Sequence, residues 1–433
     1  TDSRRIEPGS IFFAMPGEFT DGHLFVSDAI DRGAELVIAE RELELDVPQV
    51  VVANGVAALA DLAREVVARV RAKGGLRVVA ITGSNGKTST KNMLAAILGA
   101  EGPTVAPPGS FNNDVGAPFT MLGIDEATRY LVVEMGADAV GDIARLVSIV
   151  VPDVAVVLKV GLAHIGKFGD IDAVGRAKSE LVAGLPADAV AVLNADDSRV
   201  EAMSALTAAR VERFGFSDSA DVRAEDVDVT ASGTSFTVVA DGERRPVVLR
   251  ILGEHNVMNA IAAIAAARAL GVPLERSVRA LEALVRAERW RMEVLVAPEG
   301  YTVINDAYNA SPDSMAAALK TLAQVRGEGR SFAVLGEMAE LGDYADEEHD
   351  RIGRLAVRLN VSQLVVVGHR ARHIHNAAGL EGSWDGESIL VADAEAAYDV
   401  LRDQLRPGDI VLVKASNSVG LKALGDRLAG VDA

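Results

Sequence analysis

One stretch of the chain decides its fold: Ile81-Thr82-Gly83-Ser84-Asn85-Gly86-Lys87-Thr88-Ser89. The apolar run from Val78 to Ile81 predicts a buried strand before it, and a helix-length segment follows it. In a Gly-rich turn between a strand and a helix, backbone N–H groups and the positive helix end hold phosphate oxygens. The stretch therefore predicts a phosphate-binding loop in an α/β domain.

Two side chains of this loop add the chemistry of a nucleoside triphosphate site. Lys87 is placed to reach the β- and γ-phosphates, and the hydroxyl of Thr88 is placed to hold Mg²⁺. The spacing is G-x-x-G-K-T, because Ile81 stands where the longer form of the P-loop has its first Gly. The alternative is an ordinary turn with an incidental lysine, which the flanking strand and helix disfavour.

Outward from the loop, short apolar runs alternate with helix-length amphipathic segments along nearly the whole chain. This alternation is typical of mostly parallel sheets, so the predicted class is α/β. At roughly 150 residues per domain, 433 residues predict about three domains. Turn-forming residues near 75 and 298 place the divisions, which give residues 1–75, 76–296 and 297–433. We expect the second unit to carry ATP and the third to be Rossmann-like.

Two segments of the second unit have their own patterns. Between about Val211 and Leu252, Val and Thr alternate with polar residues, and Asp241-Gly242 is a hairpin turn signal. We therefore expect a small antiparallel insertion there. The Ala-rich stretch from Asn256 to Leu270, stopped by Gly271, predicts a buried helix.

Composition and charge exclude several classes of protein. Lys+Arg 43 against Asp+Glu 62 gives a formal net charge of −19, and aromatic residues make up 4%. Nucleic acid binding is not expected, because the overall field repels phosphate and few rings could stack on bases. The absence of cysteine excludes disulfides and thiol chemistry and suits a reducing cytoplasm. No apolar run approaches 18 residues, so no membrane insertion is expected.

Phosphoryl transfer needs cations to offset the charge on the transferred group, so acidic metal ligands are expected at strand ends near the loop. Glu134 directly follows the apolar run Leu131 to Val133 and is one candidate. His164 follows the strand that ends near Leu158 and is another. Taken singly, each has an alternative, since such a Glu is commonly solvated and a loop His is commonly structural.

In combination, these residues resemble the ATPase domain of the Mur ligase family. The matching motifs follow the family's order: Gly83 to Thr88, Glu134, Ala163-His164-Ile165-Gly166, Ala177-Lys178-Ser179-Glu180, and Gly253-Glu254-His255-Asn256 with Asn259. The segments Thr1 to Arg4 and Asp21-Gly22-His23 resemble the nucleotide-sugar domain of one branch of the family. Two long stretches, 305–315 and 334–342, resemble the third domain of the same branch.

What the resemblance implies is ATP-driven amide bond formation. The family phosphorylates a substrate carboxylate to an acyl phosphate, which an incoming amine attacks through a tetrahedral intermediate. The matching branch adds D-alanyl-D-alanine to UDP-N-acetylmuramoyl-tripeptide, a cytoplasmic step of peptidoglycan synthesis. We therefore expect these two substrates and ATP as partners. We also expect a monomer whose first unit is truncated at its start, since residue 1 is not Met.

The same resemblance assigns roles to individual residues. Loop residues 83–89, with Lys87, would hold ATP, and Thr88 and Glu134 would hold one Mg²⁺. His164 and Lys178 would serve a second Mg²⁺, with Lys178 as a carbamate formed with CO₂. Further contacts are implied with ATP by Asn259, Arg291 and Asp306, and with substrate by Ser3, Arg4, Asp21, His23, Asn112, Asn113, Tyr308 and Asn309.

Several of these roles have alternatives. A carbamate suits Lys178 because an ammonium repels Mg²⁺, whereas a carbamate offers the anionic oxygens that this cation prefers. Without the family context, the residue would be interpreted as a solvated surface lysine. Arg291 is preferred to Arg289 because it directly precedes Met292-Glu293, as in the family pattern. For Asp306 the alternative is a helix N-terminal or turn carboxylate before Pro312.

Two other functions stay open. Folylpolyglutamate synthase shares the ATPase architecture but lacks a domain that resembles residues 1 to 40. A nucleotide-binding regulator without ligase chemistry would not need the metal sites that Glu134, His164 and Lys178 indicate. The third part also lacks the Asp-Asn-Pro-Arg motif of the diamino-acid-adding ligases, which argues against that branch.

Overall fold

The computed structural model describes residues 2–17, 20–284, 288–382 and 384–431, so Thr1 of the first matching segment lies outside the described residues. The strands are β1 (Ser10–Ala14), β2 (Ala34–Ala39), β3 (Gln49–Val51), β4 (Arg77–Thr82), β5 (Thr104–Val105), β6 (Tyr130–Glu134), β7 (Val154–Val157), β8 (Val190–Asn194), β9 (Arg210–Gly215), β10 (Val222–Thr230), β11 (Gly233–Ala240), β12 (Glu243–Leu249), β13 (Glu293–Val296), β14 (Thr302–Asn305), β15 (Ser331–Leu335), β16 (Gln363–Val367), β17 (Glu387–Val391) and β18 (Ile410–Lys414).

Helices connect most of these strands. They are α1 (Val26–Asp31), α2 (Gly55–Ala72), α3 (Lys87–Gly99), α4 (Gly116–Met121), α5 (Asp142–Ile149), α6 (Ile165–Phe168), α7 (Ile171–Ala183), α8 (Ser198–Glu201), α9 (Glu254–Ala269), α10 (Leu274–Glu282), α11 (Pro312–Val325), α12 (Ala345–Arg358), α13 (Arg372–Gly379), α14 (Ala394–Arg402) and α15 (Lys422–Leu428). The described strands form three sheets, mostly parallel, and the predicted α/β class is confirmed.

The first sheet is small and entirely parallel, in the order β1-β2-β3. Phe12 and Val37 from its strands pack with Val26 of α1 in a core of their own. Helix α2 follows the first sheet in the chain. Its N-cap is Asn54, whose side chain accepts a hydrogen bond from the N–H of Ala57 at 2.8 Å. Its buried face instead joins the apolar core of the central sheet, through residues such as Val67.

The central sheet has the order β12-β11-β10-β9-β8-β7-β4-β6-β5. Strand β9 pairs in parallel with both β8 and β10, and antiparallel pairing begins only between β10 and β11. The predicted antiparallel insertion is therefore wrong for β9 and right for β10 to β12, which extend this sheet at its edge. Helix α9 is the buried helix that the Ala-rich stretch predicts, and it packs with α3 on one face of the sheet.

The third sheet has the order β13-β14-β18-β15-β16-β17, and every pair except β13 with β14 is parallel. Its first strand begins at Glu293, although the predicted division assigned that residue to the second unit. The divisions at 75 and 296 stay predictions. Among the described residues, no helix is both long and apolar enough to cross a membrane.

Strand order brings the chemistry-bearing residues to two sheet edges. In the central sheet, Glu134 at the end of β6 pairs with Ile81 of β4, directly before the predicted phosphate-binding loop. In the third sheet, Asn305 of β14 pairs with Val413 of β18, so the residues that follow them, Asp306 and Lys414, are neighbours. Ligands of open parallel sheets bind beyond the carboxyl ends of the strands, where these residues lie.

Candidate active site

A cavity of about 1020 Å³ is lined by residues from both the central and the third sheet. Most residues that the sequence assigns to the site line it: the loop 83–89 with Asn112, Asn113, His164, Lys178, Asn259, Arg291, Asp306, Tyr308 and Asn309. Glu134 lies behind the loop, where it contacts Thr88. In the described part of the chain, the residues predicted to bind ATP and metal therefore come from two sheets and line or adjoin one cavity.

Two glycines let the phosphate-binding loop turn tightly. Gly86 caps α3 in the left-handed region, with φ 87°, and a Cβ there would collide with Oδ1 of Asn259. Gly83 has φ 153°, and a Cβ there would stand 2.8 Å from Cβ of Leu158. Lys87, the first residue of α3, folds back over the loop and donates to the carbonyl oxygen of Gly83 at 2.7 Å. Its ammonium thus sits over the backbone groups that would receive phosphate.

Thr88 and Glu134 form the pair predicted to hold Mg²⁺. The hydroxyl of Thr88 donates to Oε2 of Glu134 at 3.3 Å, while Oε1 of this fully buried carboxylate has no hydrogen-bond partner among the described residues. Burial raises the pKa of Glu134, and the neighbouring Lys87 opposes that rise. An unpartnered carboxylate oxygen beside a hydroxyl is a hard-oxygen donor set, which fits Mg²⁺.

Lys178 lies on the buried face of α7 and is 4% exposed. Burial, together with the charge of Lys87, lowers the pKa of Lys178 to about 7. A sizeable fraction of the amine is therefore neutral at neutral pH, and the neutral amine is the form that reacts with CO₂. No cluster of three or more His, Asp or Glu suited to a metal occurs in the described part of the chain.

Asp306 is fixed from two directions. Its Oδ2 accepts from Nζ of Lys414 at 2.6 Å, and its Oδ1 accepts from the N–H of Met292 at 3.0 Å. Lys414 also donates to the carbonyl oxygen of Asn309 at 2.9 Å, so its buried ammonium connects both ends of the segment 306–309. The guanidinium of Arg291 stacks over the ring of Tyr308, 4.0 Å from its centroid.

Comparison with known proteins agrees with this arrangement. Three family models match the chain: "Mur ligase family, catalytic domain" over residues 1–74, "Mur ligase middle domain" over 81–267, and "Mur ligase, glutamate ligase domain" over 290–417. The UDP-N-acetylmuramoyl-tripeptide–D-alanyl-D-alanine ligase of Mycobacterium bovis is 46% identical, over 100% of this chain and 92% of that protein. The chain belongs to the Mur ligase family. The family resemblance seen in the sequence is thereby confirmed.

Two solved Mur ligase structures extend the similarity to the arrangement of all three units. MurF from Acinetobacter baumannii superposes with a TM-score of 0.90 at 33% identity, covering 99% of this chain and 92% of that one. MurF ligase from Thermotoga maritima in complex with ADP gives a TM-score of 0.86 at 30% identity, covering 99% and 96%. This Mur ligase therefore has the same three-unit fold as two solved MurF structures that are also similar to it in sequence.

Direct contacts join the third unit of this Mur ligase to its phosphate-binding loop. The hydroxyl of Ser311 donates to Oδ1 of Asn85 at 2.8 Å, directly before α11 begins. The hydroxyls of Tyr308 and Ser110, which both line the cavity, lie 2.7 Å apart. These contacts hold the third sheet over the loop, so the two halves of the predicted ATP site face each other.

The asparagines predicted to bind substrate lie on the central side of the cavity. Oδ1 of Asn113 accepts from the N–H of Gly116, the first residue of α4, at 2.8 Å. The carbonyl oxygen of Asn112 accepts from the N–H of Gly136 at 2.8 Å, and Asn112 lines the cavity. Asn259 is buried against the loop, with Nδ2 donating to Oδ1 of Asn256 at 3.1 Å.

The predicted nucleotide-sugar residues lie in the first unit, away from this cavity. Arg4 is exposed and pairs with Asp2, while Ser3 is buried. The ring of His23 is buried, with Nδ1 bonded to Asp21 at 2.5 Å and Nε2 accepting from the N–H of Glu40 at 3.0 Å. Both nitrogens of that ring therefore hold the first unit together, and its assignment to substrate stays a prediction.

Sequence reasoning missed four residues of the site. Lys414 fixes Asp306, and Glu340 contacts both His164 and Lys167, which in turn contacts Asp138. Glu340 belongs to the stretch 334–342 that resembles the family, whereas Lys414 lies outside the two long matching stretches. Their partners stand 176 and 108 residues away in the chain, so neither pairing has a local pattern that could have marked it.

Replacing Lys414 by Met should lower the free energy of unfolding by about 3 kcal/mol, because it leaves a largely buried carboxylate without its partner. The side chains of Lys414 and Asp306 are 3% and 14% exposed. Calorimetry should show the main transition at a lower temperature. Lys73→Met is the control, since Lys73 pairs with Glu126 in solvent and such pairs contribute about 1 kcal/mol or less. Equal shifts in both variants would contradict the prediction.

Proposed function

We propose that this chain is an ATP-dependent ligase that joins D-alanyl-D-alanine to the C-terminal carboxyl of UDP-N-acetylmuramoyl-tripeptide. The observation that carries the proposal is the single cavity in which the loop 83–89 faces Asp306 to Asn309. This cavity occurs in a chain similar over its whole length to a ligase named for that reaction. The match of residues 1–74 to a Mur ligase model favours this reading over folylpolyglutamate synthase, which lacks a comparable first domain.

The reaction proceeds in two displacements. An oxygen of the tripeptide carboxylate attacks the γ-phosphorus of ATP, so that ADP leaves and an acyl phosphate forms. The amino nitrogen of the dipeptide then attacks the acyl carbon, loses a proton, and expels inorganic phosphate as the amide forms. Lys87 and the loop amides hold the phosphates, and Asn259, Arg291 and Asp306 contact the adenine, a phosphate and the ribose of the nucleotide.

Two positions are proposed for Mg²⁺. Thr88 and Glu134 would hold one ion, and His164 with carbamylated Lys178 would hold a second. Bound there, the ions supply positive charge that offsets the charge on the transferred phosphoryl group. The lowered pKa of Lys178, to about 7, supports the carbamate because it provides neutral amine.

The remaining assignments follow the placement of the residues. Asn112, Asn113, Tyr308 and Asn309 line the cavity and would contact the peptide substrates. Ser3, Arg4, Asp21 and His23 lie in the unit that would hold the nucleotide-sugar. We place the reaction in the cytoplasm, where ATP is available, and propose that a monomer carries it out. The three units would be residues 1–75, 76–296 and 297–433.

ATP-dependent phosphate release should appear only when a UDP-N-acetylmuramoyl-tripeptide and D-alanyl-D-alanine are both present. A matrix of muramoyl peptides and amine donors, with each omitted in turn, measures this directly. Wells with a folate and glutamate test folylpolyglutamate synthase activity, whereas a regulator that only binds nucleotide would release no phosphate in any well. Release with folate, or none in any well, would overturn the proposed function.

A further inference from the structure

His164 of the central unit is held by a carboxylate from the third sheet. Its Nδ1 is hydrogen-bonded to Oε2 of Glu340, which lies after the end of β15. The other oxygen of Glu340 accepts from Nζ of Lys167 at 2.8 Å, and Lys167 also donates to Asp138 at 2.9 Å. The carboxylate of Glu340 therefore bridges His164, the N-cap of α6, and Lys167 within that helix.

The backbones at this contact are fitted closely to each other. The N–H of Gly166 donates to the carbonyl oxygen of Glu340 at 2.9 Å, and a Cβ on Gly342 would stand 2.9 Å from Cα of Gly166. His164 and Glu340 both adopt the left-handed region, with φ 61° and 62°. Non-glycine residues occupy this region at a cost, and they stay there where surrounding contacts hold them. The positions of both side chains are thus fixed by main-chain packing.

The contact also determines which ring nitrogen of His164 is free. Nδ1 is hydrogen-bonded to Glu340, while the carboxylate of Asp138 lies farther from it, at 3.8 Å. With Nδ1–H donating to Glu340, the lone pair is on Nε2, which has no hydrogen-bond partner among the residues that the structure describes. His164 and Lys178 line the same cavity. A histidine that binds a metal commonly donates its second N–H to a carboxylate, which fixes tautomer and ring orientation.

We propose that Glu340 is a positioning residue: it fixes His164 with Nε2 available to the cavity, so that the third unit completes the metal-binding side of the central unit. The inference rests on the proposed role of His164. What is added is that the metal-binding role of His164 depends on Glu340, which follows a strand of the third sheet. Removing Glu340 should therefore change the state of the His164 ring even when no metal is present.

The test is nitrogen NMR of the full chain labelled with ¹⁵N-histidine, metal-free, at pH 8, with His164→Asn to assign the signal. We expect the Nδ1–H tautomer in the wild type, and a shift towards the Nε2–H tautomer in Glu340→Ala. Glu340→Gln keeps an acceptor oxygen and should retain the wild-type tautomer. Asp346→Asn is the matched control, because Asp346 contacts His373 on the outside of the third unit.

A second readout is the Mg²⁺ concentration for half-maximal phosphate release. It should rise about 10- to 100-fold in Glu340→Ala, the usual range for loss of a carboxylate behind a ligand, and stay unchanged in Asp346→Asn. An unchanged His164 tautomer in Glu340→Ala would overturn the proposal, as would an unchanged Mg²⁺ requirement. A tautomer shift in a chain that is inactive with the muramoyl peptide would instead count against the proposed function alone.

Discussion

Replacing Lys87 by alanine is expected to abolish turnover, with kcat reduced at least about 10³-fold, because the variant loses the cation that meets the developing charge on the phosphates. The ammonium lies over the loop, bonded to the carbonyl oxygen of Gly83 at 2.7 Å. Burial lowers the pKa of Lys87, and the charge of Glu134 opposes that shift. Phosphate bound in the loop would add negative charge next to this ammonium and so favour its charged form.

The measurement is ATP-dependent phosphate release with saturating substrates, in steady state and in a single turnover. Lys73→Ala is the control, because Lys73 is an exposed lysine at the end of α2 and pairs only with Glu126 in the described structure. Circular dichroism and the thermal midpoint should be unchanged in both variants. A Lys87→Ala enzyme that keeps kcat within tenfold of the wild type would contradict the P-loop assignment.

Much of the fold could be predicted because its central strands are buried on both faces. Val78 to Ile81 and Val154 to Val157 are continuous apolar runs, and both form strands in the middle of the central sheet. Strand β5, with two residues, is too short to show any periodicity. Strand β9 was misassigned because alternation of apolar and polar residues is the same in parallel and antiparallel strands, and only the pairing partner distinguishes them.

The site could be predicted where its chemistry is local. The P-loop is one contiguous stretch, whereas Glu340 and Lys414 act on residues that only the packing of two sheets brings near. Lys178 is an intermediate case. It was open to interpretation as a surface residue, but it stands four residues after Val174 and three before Leu181, on the buried stripe of α7. A lysine at that helical spacing is a signal that the sequence contains.

Replacing Lys178 by alanine should remove most activity and leave the fold intact. In this position the amine is buried and its pKa is lowered to about 7 by burial, where the ordinary value is 10.5. The neutral fraction of an amine rises with pH through its pKa, so at pH 7 to 8 Lys178 supplies the form that attacks CO₂. Attack of the nitrogen on carbon, with loss of a proton, gives a carbamate whose two oxygens can bind Mg²⁺.

Arg176→Ala is the matched control, because Arg176 is an exposed residue of the same helix. Wild-type activity should fall when bicarbonate and CO₂ are stripped from the buffer and return when they are restored. The Lys178→Ala variant should not respond to bicarbonate. Acetate or formate should partly restore its activity, since a short carboxylate can fill the vacated oxygen positions.

The responses to CO₂ and to added carboxylate distinguish a carbamate on Lys178 from an unmodified lysine. If Lys178 acted as an ammonium on substrate phosphate, removal of CO₂ would not matter, and a small amine rather than a carboxylate would rescue the alanine variant. Carbon-13 NMR with ¹³C-bicarbonate and Mg²⁺ should show a carbamate signal in the wild type that Lys178→Ala lacks. No such signal, together with activity independent of CO₂, would refute the carbamate. The assignments of the P-loop and of the ligase reaction would stand, because they rest on the loop 83–89 and on the whole-length similarity to a ligase, not on the modification of Lys178.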